Sequence, residues 1–96
     1  MIRHSVAFRL KHAKGSAAEK DFLAAADVLA KIPAVQRFEK LREVSPKNEF
    51  DFAFVFEFAD QAAYDSYNAH PDHVRFVRDR WMPEVADFME IDTIAL

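Results

Sequence analysis

The sequence contains no cysteine and a single glycine, Gly15, and it has neither a long apolar run nor a surplus of basic residues. Without cysteine there is no disulfide staple, no thiolate nucleophile and no thiolate metal ligand. One glycine cannot build a Gly-rich phosphate loop or a dinucleotide fingerprint, because both need several to bring backbone amides against a phosphate. Residues Met1 to Leu10 carry Arg3, His4 and Arg9 and show no small-residue cleavage site, and no stretch approaches the roughly 20 apolar residues that span a bilayer. The expectation is a cytoplasmic protein with no membrane partner. Thirteen basic and sixteen acidic residues are mixed along the chain, so no cationic stripe is available for a nucleic acid backbone.

What is present is apolar and aromatic. Half of the residues (51%) are hydrophobic and ten are phenylalanine, in a chain whose 96 residues suffice for one domain, residues 1–96, and one core. A chain this short buries only about 60–65% of the surface exposed when unfolded. With no disulfide to compensate, the surplus of apolar side chains points to a homodimer.

Ile2, His4, Val6, Phe8 and Leu10 alternate with Arg3, Ser5, Ala7 and Arg9, the pattern of a strand with one buried face. Ser16 and Glu19 have the spacing of a reciprocal cap, predicting a helix over residues 17–31 that stops before Pro33. A charged edge strand is expected over 35–44. Phenylalanines at 50, 52, 54, 56 and 58 alternate with Asp51, Ala53, Val55 and Glu57, which predicts a central strand. Asp60 caps a helix carrying Ala63, Tyr64 and Tyr67, Pro71 opens a second helical piece that ends at Pro83, and a last strand is expected over 89–96.

This order is that of an α+β, ferredoxin-like βαββαβ domain with a four-stranded, mainly antiparallel sheet. Strands one and three are expected side by side and parallel, pairing Arg3 with Asp51 and Arg9 with Glu57. The helices cover the His4/Phe8 and phenylalanine faces, leaving Ala7, Ala53 and Val55 as an apolar band suited to a second copy.

His70-Pro71-Asp72-His73, with Tyr67 before it and Val74 after it, resembles the stress-responsive dimeric α–β barrel (Dabb) family. Ile2-Arg3-His4, Ile32-Pro33-Ala34-Val35, Phe38-Glu39 and the phenylalanine strand agree, so the resemblance covers essentially the whole chain. Ala34 stands where many relatives have glycine, and Lys40-Leu41-Arg42-Glu43 replaces a more apolar strand. The resemblance implies two sheets that face each other and close into a barrel, dimerising into an α–β barrel with the helices outside. It does not imply one activity: some relatives are known only as stress-induced, while a plant relative is a cofactor-free polyketide cyclase. The catalytic Tyr-x₅-His pair of that enzyme maps onto Tyr67 and His73.

The chemistry of the residues fits such a role. Imidazole titrates near neutral pH, so His73 can remove a proton beside a carbonyl. Tyr67 can donate to the carbonyl oxygen or the developing enolate, and His4, on the helix side of strand one, can approach the same cavity. The competing reading is that each completes a hydrogen bond within the core, with His70 capping the second helical piece. His4, His70, Asp72 and His73 are ligand-type side chains, but Pro71 disturbs their spacing and nothing completes a metal set. No metal or other cofactor is expected. Two functions follow: a cofactor-free cyclase or isomerase acting on a small apolar carbonyl compound, or a non-catalytic, stress-responsive binding or structural dimer.

Overall fold

The alternating segments form the two central strands of one sheet. The computed structural model describes residues 1–96. Strand β1 runs over Ile2–Leu10, β2 over Arg37–Arg42, β3 over Phe52–Phe58 and β4 over Val85–Thr93, in the spatial order β2-β3-β1-β4. Helix α1 (Ala17–Ala25) tightens into a 3-10 helix over Ala26–Lys31. Helices α2 (Gln61–Ala69) and α3 (Pro71–Phe76) lead through a π-helical turn, Val77–Trp81, into the short α4 (Met82–Glu84). No helix is long and apolar enough to cross a membrane.

The α1 start is a variant of the expected cap. The Glu19 amide donates to Ser16 Oγ at 3.2 Å, but the Glu19 carboxylate accepts from the amide of Gly15, at 3.1 Å, and not from that of Ser16. Gly15 turns into the helix at φ +74°, a conformation that costs glycine least.

One expectation is overturned: β1 and β3 are antiparallel neighbours. Helix α1 carries the chain back across the sheet, so β1 and β2 run the same way. The loop over residues 43–51 then reverses the chain into β3, which fits between them. Every neighbouring pair in the sheet is therefore antiparallel. The charge pairing changes accordingly. Arg3 faces Glu57, Arg9 faces Asp87 of β4, and Asp51 forms its ion pair with Lys14 at 3.2 Å.

Boundaries also differ. Phe50 lies outside β3 because its amide is taken by the Asn48 side chain at 2.9 Å. β4 starts four residues earlier than the pattern suggested, since Pro83 sits inside the single turn α4 and Val85, buried, locks the strand to Leu10. β4 stops at Thr93.

The helix-facing side of the sheet is the core. Phe8, Phe54, Phe56 and Phe58 are all essentially inaccessible, and Phe22, Leu29, Tyr67 and Phe76 from the helices close over them. Phe8 meets Phe54 edge-on at 4.6 Å between ring centres, a geometry worth about 0.5–1.5 kcal/mol beyond area burial. The other side carries no helix. Across it Leu41, Ala53, Ala7 and Met89 stand directly opposite one another, one from each strand, with Val55 and Ile91 beside them.

Candidate functional site

The break between α2 and α3 builds the site. Pro71 has no amide hydrogen, and the Asp72 amide donates instead to Nδ1 of His70 at 3.1 Å, so His70 caps α3. The carbonyl of Asn68 is thereby left without its helical partners. The ring of His73, in the first turn of α3, occupies the gap with Nδ1 3.1 Å from that carbonyl oxygen. A carbonyl only accepts, which assigns the proton to Nδ1 and leaves Nε2 as the free lone pair. Burial lowers the His73 pKa, outweighing the carbonyl bond that raises it; the charge of His4 lowers it further and that of Glu90 opposes this. His73 is thus held as a neutral base over a wider range than a free histidine.

Tyr67 projects from the last turns of α2, its ring 4.4 Å from that of His73, and is only 2% exposed. Its hydroxyl makes no hydrogen bond within the chain. It is not sealed off, because the one fully enclosed side-chain polar atom without a partner is Nε of Arg9. Burial, with smaller contributions from Tyr64 and Glu90, drives its pKa well above the usual phenol value, so Tyr67 remains a donor.

His4 enters from β1, stacked on Phe56 at 5.4 Å between ring centres. Its Nδ1 lies 2.5 Å from Oδ1 of Asp92, opposite it on β4, and 3.0 Å from the Tyr64 hydroxyl, which donates to Oδ2 of the same carboxylate at 2.9 Å. Burial, then the Asp92 bond and charge, raise the Tyr64 pKa. The carboxylate fixes the His4 proton on Nδ1 and turns Nε2 away from it.

His4, Tyr67 and His73 all line a single cavity of about 250 Å³ between the sheet and the broken helix. Its walls are chiefly apolar, from Val6, Leu29, Phe54, Phe56, Phe76 and Trp81, with Glu90 on the β4 side. That volume is just below the ~300–1,000 Å³ typical of drug-sized ligands. No three histidine, aspartate or glutamate side chains converge as metal ligands. The family model of the stress responsive A/B barrel domain, Dabb, matches residues 2–95. The chain belongs to this family.

This Dabb domain shares its architecture with proteins of known structure. A Dabb family protein with a ferredoxin-like fold from Mesorhizobium loti is 58% identical, with TM-score 0.97 over 99% of this chain and 96% of the other. A dimeric ferredoxin-like protein of unknown function from Thermobifida fusca is 23% identical, with TM-score 0.80 over 98% and 90% of the two chains. The hydroxynitrile lyase of Passiflora edulis shares the fold at 18% identity, with TM-score 0.85 over 99% and 93%. A stress-response A/B barrel domain-containing protein from Arabidopsis thaliana is 29% identical over 99% of this chain, which spans 37% of the length of that relative.

Four features of the candidate site lay outside the sequence expectation: Tyr64, Asp92, Glu90 and the Asn68 carbonyl. Tyr64 shares a helix face with Tyr67, three residues on. Glu90 and Asp92 follow Phe88 at strand spacing and so face the helices with it, a signal that becomes readable once β4 is known to begin at Val85.

Proposed function

We propose that this Dabb domain forms a homodimer whose pocket takes a small, largely apolar carbonyl compound and performs cofactor-free acid–base chemistry on it, with His73 as general base. The observation that carries this reading is that His73 and Tyr67, whose Nε2 and hydroxyl are bonded to nothing within the chain, line one chiefly apolar cavity with their rings 4.4 Å apart. Nε2 of His73 takes a proton from the carbon beside a carbonyl. The electron pair of that C–H bond forms a carbon–carbon double bond as the π pair of the carbonyl moves to its oxygen, and Tyr67 donates a hydrogen bond to the resulting enolate. The enolate carbon then either attacks a second carbonyl of the same molecule, closing a ring, or the enolate is reprotonated elsewhere, isomerising it; in both cases the imidazolium of His73 returns the proton. His4 supplies a second polar contact from the opposite wall. The fold itself accommodates lyase chemistry in the passion-fruit enzyme.

The homodimer reading is supported by the uncovered row of Leu41, Ala53, Ala7 and Met89 and by the dimeric Thermobifida protein of the same fold. The test of the chemistry is exchange of the α-protons of a small enolisable aryl ketone in deuterated buffer, followed by NMR. Wild-type protein is expected to accelerate exchange, and His73→Ala to reduce the acceleration by about 10²–10⁴. Binding with no exchange by the wild type would favour the non-catalytic alternative.

A further inference from the structure

We infer that Glu90 selects the charge of the ligand, admitting neutral molecules that carry a hydrogen-bond donor and rejecting carboxylates. This rests on the pocket reading given above and adds a substrate class to it. Glu90 stands on the helix-facing side of β4, directly opposite Val6 and between Phe88 and Asp92, and its side chain lines the cavity. Of these two acids, only Asp92 is bonded within the chain, to His4 and Tyr64, whereas Glu90 is exposed. Glu90 has no hydrogen bond and no ion pair within the chain. No lysine or arginine lines the cavity to balance it.

Glu90 is itself exposed to solvent, so water attenuates its field, but a ligand carboxylate in this space would still meet a like charge that no cation lining the cavity offsets. The nearest compensating groups are two histidines. One, His73, is kept neutral by burial, and the other, His4, is already engaged by Asp92. A phenol, enol or amine N–H would instead give Glu90 the donor that the chain does not provide. Glu90 lines the same cavity as Tyr67 and His73, the groups facing the ligand. Selection of this kind works through an unfavourable contact with the wrong ligand.

The probes are 2-naphthol and 2-naphthoate, near-isosteres of which only the second is charged at neutral pH, titrated calorimetrically into the full chain. The diagnostic is the change in their affinity ratio. Glu90→Gln keeps the shape and an acceptor but removes the charge, and is expected to tighten naphthoate binding about tenfold while changing naphthol binding less than threefold. Glu49→Gln, in the exposed turn after β2, removes the same charge from the molecule at a distance and is expected to leave the ratio unchanged. A ratio that Glu90→Gln leaves unaltered, or that Glu49→Gln shifts equally, overturns the assignment while the pocket reading stands. Failure of both probes to bind wild-type protein overturns the pocket reading and the assignment together.

Discussion

Nδ1 of His73 lies 3.1 Å from the carbonyl oxygen of Asn68, a contact available because Pro71 and the His70 cap withdraw both helical donors from that carbonyl. The sign of the resulting pH dependence follows from burial. The folded pKa is lowered relative to the unfolded chain, so the unfolded state binds more protons at acid pH, and stability falls as pH drops through the ordinary histidine value toward the folded one. Denaturant melts across this window are expected to show that loss, and His73→Asn to flatten it. The acid limb of the exchange rate is expected below the pKa of free histidine.

Tyr67 tests the enolate contact with little structural ambiguity. Since its hydroxyl bonds to nothing in the chain, Tyr67→Phe orphans no partner and is expected to change stability by less than about 0.5 kcal/mol. Loss of an oxyanion donor typically costs about 10²–10³ in rate. Melts and exchange rates on the same sample check both, and a variant as fast as wild type would remove Tyr67 from the chemistry.

Asp92 is expected to orient His4. In Asp92→Asn the amide no longer demands a proton on Nδ1, so ¹⁵N spectra should show His4 moving from a predominantly Nδ1-protonated ring toward a tautomer mixture, with His73 unaffected. Tyr64→Phe keeps the carboxylate and is expected to leave the His4 tautomer as it is.

The homodimer makes its own demand on the uncovered face. Wild-type protein should scatter light as twice 11.1 kDa. Ala53→Arg places a charge in the middle of the Leu41–Ala53–Ala7–Met89 row and is expected to give a folded monomer, seen as half the mass with an unchanged far-ultraviolet spectrum.

Much of this architecture was legible in the residue pattern, because alternation at β1 and the phenylalanine ladder reports directly which face is buried. The relative direction of β1 and β3 was not, since alternation is identical read from either end; only following the α1 crossover and the loop over residues 43–51 settles it. Of the candidate site residues, Tyr67 and His73 came from the resemblance of their segment to a family motif, and His4 from its place on the helix-facing side of strand one. Their supports were not legible. The His4–Asp92 contact joins residues 88 positions apart, and β4 exposes most of its side chains, so it offers little hydrophobic rhythm by which to fix its register.

That rhythm has a further meaning in β4. Its odd-numbered residues, Met89 and Ile91, belong to the bare face of the sheet, while of its even-numbered neighbours Glu90 lines the cavity and Asp92 holds His4, which lines it too. A strand cannot shift one set of side chains without shifting the other, so a second copy pressed against Met89 and Ile91 would also brace the carboxylate behind His4. In the proposed homodimer, dilution would therefore loosen the pocket as well as separate the subunits, and specific activity would rise with protein concentration until association is complete.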